Sequence, residues 1–322
     1  MAMIFDTHAH YDDHAFDEDR EELLSGLFRK GVGLIMDASA AARSMPRILQ
    51  LTRNYGFLYG SAGLHPCETY SCGDNMGRPV MDCGSILGQQ VEDGGDVPGQ
   101  QAKTPEEAPG IPGVSAKFRQ AIALFGEDEI ITADWRAGDR EELLIRAMLT
   151  EPRIQAVGEI GLDYHYEDTR KEVQKDWFAR QIAIAREFCK PIFIHSRDAA
   201  ADTLDMVKSE HAADVGGIIH CFSYSKEMAA AYLDLGFLIG IGGVLTYKNA
   251  KKLKDVAAYV PLTSIVLETD CPYLAPAPFR GKRNDSSLLN YVAEALAQIK
   301  GVSVEEVITV TEANARRVYR IG

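Results

Sequence analysis

The stretch PIFIHSRDAAADTLDMVKSEHAADVGGIIHCFSYSKEMAAAYLDLGFLIGI, residues 191–241, decides the fold. Three apolar runs, 191–194, 217–219 and 237–241, are too short for helices and end in polar or glycine-containing breaks. Between them lie two longer segments, 198–209 and 226–235, with apolar residues at helical spacing. Strands alternating with helices predict parallel βα units, because a parallel neighbour needs a crossover connection. Two of these strands lead directly into a histidine, His195 and His220.

The same rhythm extends in both directions. Towards the N-terminus, strands are predicted at 3–5, 32–37, 57–62 and 154–157. Helices are predicted at 17–30, through Ile48 and Leu51, and at 169–188, where Trp177 and Phe178 read as core. Towards the C-terminus come a helix at 249–258, a strand at 264–267 and helices at 287–299 and 303–319. Eight strands alternating with helices predict an α/β fold, a closed (β/α)8 TIM barrel. An open doubly wound sheet is the alternative. No glycine-rich dinucleotide fingerprint occurs early in the chain, which argues against a nicotinamide-binding fold.

Segment 71–129 breaks the rhythm. Its 59 residues hold ten Gly, five Pro and ten acidic against four basic residues, so it reads as a polar insertion after the third strand. Without it 263 residues remain, close to the ~250 of a typical barrel. The 322 residues therefore read as one barrel domain, 1–322, with this insertion inside it.

Composition narrows the function. A hydrophobic share of 46% and a charged share of 25% are ordinary globular values. The net charge of −13 argues against a protein that coats nucleic acid or membranes, yet leaves room for a local basic site. No signal peptide and no run of ~20 apolar residues is found. The six cysteines form no C-x-x-C pair, so reduced thiols and a cytoplasmic setting are expected. Cys67, Cys72 and Cys83 beside His65 match no standard zinc spacing.

The eight histidines are the most informative feature. Asp6, His8 and His10 lie two apart after the first strand, and alternate residues of extended backbone point the same way. A carboxylate and two imidazoles aimed at one place suit metal ligation. His65, Glu159, His195, His220 and Asp270 also follow predicted strands, and barrel strands open their C-terminal ends onto one face. His8, His10, Glu159, His195, His220 and Asp270 exceed the needs of one tetrahedral ion and suit two bridged ions, with Zn, Mn and Mg all open. His14, His165 and His211 read as surface residues, and Asp163 as a residue that orients a ligand or closes a local hydrogen bond. Arg197, Arg280, Lys282 and Arg283 fall on loops expected at the same face and are candidates for substrate phosphate contact.

The chain resembles the TatD family of metal-dependent hydrolases, within the wider amidohydrolase-like barrel group. DTHAH at 6–10, GLHP at 63–66, GEIGLDY at 158–164, IHSRDA at 194–199, HCFSYS at 220–225 and LETDCPYLAP at 267–276 carry the resemblance, which spans all but the insertion. It implies a two-metal centre: His8, His10 and Asp270 at one divalent ion, His195 and His220 at the other, and Glu159 bridging. His65 would face the substrate phosphate or leaving group and shuttle protons. The resemblance also implies phosphodiester hydrolysis on DNA, of 3'-5' exonuclease character. Metal-dependent ester hydrolysis, such as D-aminoacyl-tRNA deacylation, and small-molecule amidohydrolase activity are the alternatives. No membrane and no obligate protein partner is implied. The chain departs from the family pattern in the long insertion, in Cys271, and in Asp285-Ser286 after Arg283-Asn284.

Overall fold

Eight strands, each buried along most of its length, form one parallel sheet whose order follows the chain. The computed structural model describes residues 2–72, 139–166 and 170–322. Apart from its first two residues, the expected insertion 71–129 lies outside these, as do Cys83 and the side chain of Cys72. The strands are β1 (Ile4–Ala9), β2 (Val32–Asp37), β3 (Leu58–Ala62), β4 (Ile154–Asp163), β5 (Ile192–Arg197), β6 (Gly217–Ile219), β7 (Leu238–Ile241) and β8 (Ile265–Leu267). Among the described residues nine α-helices accompany them: α1 (Arg20–Leu27), α2 (Met45–Asn54), α3 (Asp139–Met148), α4 (Lys171–Glu187), α5 (Ala200–Ser209), α6 (Lys226–Asp234), α7 (Lys251–Tyr259), α8 (Leu289–Lys300) and α9 (Val304–Tyr319).

The sheet closes on itself. His10 N–H donates to Cys271 O at 2.9 Å and Asp270 N–H to His8 O at 2.9 Å, joining the segment after β8 to β1. The expected TIM barrel is therefore the observed fold. One residue from each of seven strands, Phe5, Met36, Ala156, Phe193, Ile218, Leu238 and Val266, fills the barrel interior. Tyr319 of α9 packs against this cluster, its ring 5.8 Å from that of Phe5, and donates its hydroxyl to Thr7 O. A larger cluster lies between the strands and the helices and contains Trp177 and Phe178. Local signals agree with this packing. Ser225 and Ser303 cap α6 and α9 by accepting Met228 N–H and Glu306 N–H, and Gly301 ends α8 in the left-handed region.

Three predicted boundaries need correction. The first strand runs to Ala9 rather than ending at residue 5, because its polar residues are paired inside the barrel wall. The fourth runs to Asp163, so Glu159 lies within it rather than after it. The fifth likewise continues through His195 to Arg197. Helix α3 was missed, although Leu144, Ile145 and Met148 sit at helical spacing and are buried.

Candidate active site

Polar side chains inside strand ends are tolerated only if they meet partners of opposite character. Here β1, β4, β5, β6 and the turn after β8 bring imidazoles and carboxylates together. His8 Nε2 lies 3.1 Å from His10 Nε2, 3.3 Å from Glu159 Oε2 and 3.7 Å from Asp270 Oδ1. His10 Nε2 is 3.3 Å from the same Asp270 oxygen. His195 Nδ1 approaches Glu159 Oε1 at 2.9 Å, and His65 Nε2 stands 3.8 Å from that oxygen. His220 stacks on His8 with ring centroids 3.5 Å apart, and its Nε2 is 3.5 Å from Asp270 and 3.8 Å from Glu159. All six expected ligands thus converge, with His65 beside them. The geometry groups His8 with His10 and Asp270, and His65 with Glu159 and His195, while His220 joins His8 and Glu159. The two Glu159 oxygens face different partners, Oε2 towards His8 and His10 and Oε1 towards His195, His65 and His220, which is where a bridging carboxylate would stand.

Charge explains the spacing. Burial works against an ionised Glu159, yet the His8 and His65 imidazoles and the His195 hydrogen bond hold its carboxyl well below the usual range. Burial likewise opposes ionisation of Asp270, and hydrogen bonds to His10 and His220 hold it low. Burial opposes protonation of His10 and His195, but Asp270 raises the first to about 10, while Asp163 and Glu159 raise the second to about 9. His65 is pushed down to about 3 by burial and the adjacent His195. Divalent cations compete with protons for the same lone pairs, so metal binding here releases protons.

Supporting side chains set which ring nitrogen faces inward. His10 Nδ1 donates to Ala38 O at 2.9 Å. His220 Nδ1 donates to Glu268 Oε2 at 3.0 Å, and the other Glu268 oxygen accepts Cys221 N–H. His195 Nε2 donates to Asp163 Oδ2 at 3.1 Å while Asp163 Oδ1 accepts the nearby His165 N–H at 2.9 Å, so Asp163 makes both contacts considered for it. These contacts hold a proton on the outward nitrogen of each ring, so the inward nitrogens of His10, His195 and His220 are the ones that can exchange a proton for a metal. Ligand atoms ~2.1 Å from a shared tetrahedral ion sit roughly 3.4 Å apart, and the separations among His8, His10, Glu159 and Asp270 bracket that value. The donor set therefore fits divalent cations.

Glu268 was not singled out by sequence reading. Its room depends on Gly240, where a Cβ would lie 2.4 Å from the Glu268 carboxylate. Replacing Glu268 by Ala should weaken metal affinity ~10- to 100-fold, as loss of a carboxylate behind a metal-binding histidine typically does. Titration of the metal-free protein with Zn²⁺ measures this, and unchanged affinity removes Glu268 from the site's support.

Not every expectation is met. The Asp6 carboxylate does not join the cluster; it accepts Thr269 N–H, Thr269 Oγ1–H and Ser286 Oγ–H and ties β1 to the segment after β8. Burial pushes it up to about 7. A cavity of about 1060 Å³ opens above the cluster, and Arg197 lines it. Arg280, Lys282 and Arg283 do not line it, contrary to their expected place. The Arg280 guanidinium lies over the Tyr247 ring at 4.6 Å, and Lys282 is exposed. Arg283 is held by the Asp19 carboxylate and the Ala15 carbonyl. Arg43 and Arg47, which sequence reading overlooked, stand on the cavity wall instead. His14 is exposed at the cavity rim, and exposed His165 pairs with Asp198 at 2.9 Å. Cys67, Cys189, Cys221 and Cys271 are free thiols. No helix among the described residues is long and apolar enough to cross a membrane.

A parallel eight-stranded barrel with imidazoles and carboxylates gathered at its C-terminal mouth defines a metal-dependent hydrolase of the TIM-barrel class. The sequence model of the TatD related DNases matches residues 5–320, and the chain belongs to that family. It is 33% identical over 320 residues to the uncharacterized metal-dependent hydrolase YabD of Bacillus subtilis (strain 168), covering 99% of this chain and 100% of that one. With the uncharacterized metal-dependent hydrolase YcfH of Escherichia coli (strain K12) it shares 46% identity over 177 residues, 55% of this chain and 67% of that one. Among solved structures, the TatD homologue YjjV of Escherichia coli K12 matches with a TM-score of 0.70 at 25% identity, covering 99% of this chain and 98% of that one. A TatD family hydrolase of Entamoeba histolytica shares the fold with a TM-score of 0.71 at 19% identity, over 99% of each chain.

Proposed function

We propose that this chain is a deoxyribonuclease of 3'-5' exonuclease character, which hydrolyses phosphodiester bonds with two divalent ions. His8, His10 and Asp270 would hold one ion and His195 and His220 the other, with Glu159 between them. The observation that carries this reading is the position of Glu159, whose two oxygens face different sets of imidazoles beneath a cavity of about 1060 Å³. Such ions, when bound, supply Lewis-acid charge and lower the pKa of water.

The chain's own residues would do the rest. Asp270 is the more open of the two central carboxylates, its side chain 18% exposed against 5% for Glu159. It would take the proton of the attacking water. Glu159 keeps the two halves of the centre in register. Arg197 is half-buried, packs over Tyr166 and lines the cavity. Arg47 is exposed and also lines the cavity, near enough to Asp17 to join Arg20 in lowering that carboxyl's pKa. These two guanidiniums suit a polyanion despite the net charge of −13.

The test is to incubate the metal-loaded protein separately with single-stranded DNA, D-aminoacyl-tRNA and small amides, each with Mg²⁺, Mn²⁺ or Zn²⁺. Progressive shortening of DNA from its 3' end is expected. Deacylation with the nucleic acid left at full length would replace this reading by an esterase. A companion experiment follows log affinity for single-stranded DNA against log salt. Arg47→Ala and Arg197→Ala should each lower the slope by ~0.7, one lost phosphate contact. Arg283→Ala should leave it unchanged, because Asp19 already holds that guanidinium. The reverse pattern would return the phosphate path to the loop after β8.

A further inference from the structure

The imidazoles around Glu159 are not oriented alike. His10 and His220 each point Nδ1 at a group that can only accept, a carbonyl and a carboxylate, so Nδ1 carries a proton and Nε2 faces Asp270. His195 meets an acceptor at each nitrogen, Asp163 at Nε2 and Glu159 at Nδ1. His65 does the opposite. Its Nδ1 receives the backbone N–H of Cys67 at 3.1 Å, and an amide N–H can only donate. Nδ1 must therefore be a lone pair, which excludes the doubly protonated ring and leaves the proton of neutral His65 on Nε2.

The ring is pinned in that orientation. His65 N–H donates to Ala40 O at 2.8 Å, its carbonyl accepts Glu68 N–H at 2.8 Å, and its edge meets the His195 ring at a centroid distance of 4.3 Å. Nε2 points towards Glu159 Oε1 from 3.8 Å, too far for a hydrogen bond, and His65 lines the cavity. The N–H thus stands beside Glu159 at the floor of the cavity, without a hydrogen-bond partner at that distance.

We propose that His65 is a fixed neutral hydrogen-bond donor, through Nε2–H, to a non-bridging oxygen of the scissile phosphodiester, and is neither a metal ligand nor a proton shuttle. This rests on the phosphodiesterase reading and deepens it. A neutral imidazole N–H is too weak an acid to give up its proton, so no proton leaves His65 during the reaction. Water oxygen bonds to phosphorus, the bond from phosphorus to the leaving oxygen breaks, the water's proton goes to Asp270, and the leaving oxygen is protonated from solvent. The His65 hydrogen bond strengthens as negative charge builds on the phosphoryl oxygen, which is how a preorganised donor lowers a barrier. Neutral imidazole acting as an electrophile has precedent in other enzymes.

Gln and Asn separate the roles, because a Gln side-chain amide reaches about where Nε2 lies and that of Asn about where Nδ1 lies. His65→Gln should retain kcat/KM on bis-p-nitrophenyl phosphate within ~10-fold, while His65→Asn and His65→Ala lose ~100- to 1000-fold, the usual cost of one transition-state donor. All three should keep wild-type metal content by elemental analysis. Loss of metal in His65→Ala would make His65 a ligand. A His65→Gln enzyme that keeps its metal but is as slow as His65→Ala would make it a proton-transfer group. Independently, nitrogen-15 spectra of histidine-labelled, zinc-loaded protein should contain one ring, absent from His65→Gln, with its proton on Nε2 and a bare Nδ1. A proton on Nδ1 overturns the assignment. If the wild-type protein cleaves no phosphodiester, the functional reading fails, while the spectra and the metal content still decide the state of His65.

Discussion

If two ions share Glu159 as proposed, replacing it by Ala should empty both halves of the centre and lower kcat/KM at least ~1000-fold, about 4 kcal/mol of transition-state stabilisation. The size follows from where the carboxylate stands. One oxygen lies 2.9 Å from His195 Nδ1 and the other 3.3 Å from His8 Nε2, so a single side chain serves both groups. Removing it leaves the imidazoles of His8, His195 and His220 without the negative charge between them. Two dications held mainly by neutral rings would repel each other. His8→Ala, in contrast, should deplete chiefly one ion. Elemental analysis of both variants decides the matter, and two ions retained in Glu159→Ala, or activity within tenfold of wild type, would sink the bridging role.

The largest effect on stability is expected from Gly161→Ala. Gly161 lies in β4 two residues after Glu159 and adopts φ +144°, where a side chain is strained. A Cβ there would stand 1.9 Å from the carbonyl oxygen of His195 on β5, a backbone atom that cannot rotate away. Either β4 and β5 separate or the strand bends, and both displace Glu159 and Asp163 from His195. Destabilisation of more than ~3 kcal/mol is expected, in the range of strongly disruptive substitutions. Gly236→Ala is the control. Its φ is +81°, but no atom lies within 4 Å of the added Cβ, so only the conformational cost of ~1 kcal/mol remains. Urea midpoints compare the two, and equal losses would show that strain alone, without the collision, sets the cost at Gly161.

Much of the site was legible because a parallel barrel converts sequence order into position. Once the alternation from β1 to β8 is read, the residues near each strand's C-terminal end must share one mouth, so His8, His10, Glu159, His195, His220 and Asp270 could be gathered from sequence alone. Where side chains turn after leaving the strand was not legible. Asp6 shares the alternation of His8 and His10, yet its carboxylate is taken by Thr269 and Ser286, more than 260 residues away, across the seam that closes the barrel. Arg283 looked free on a basic loop, but Asp19 faces it across 264 residues of chain. Glu268 could be connected with His220 only once β6, β7 and β8 lay side by side with no side chain at Gly240 between them. His65 shows the limit most sharply. Its place at the mouth follows from the third strand, but the orientation of its ring turns on one backbone N–H from Cys67, a hydrogen bond fixed by the turn that brings that amide to the ring. Sequence by itself therefore determined which chemical groups meet, because strand order is encoded locally in periodicity. Tertiary structure decided their protonation, their partners and which nitrogen faces inward, because those depend on contacts a few ångströms long between distant parts of the chain.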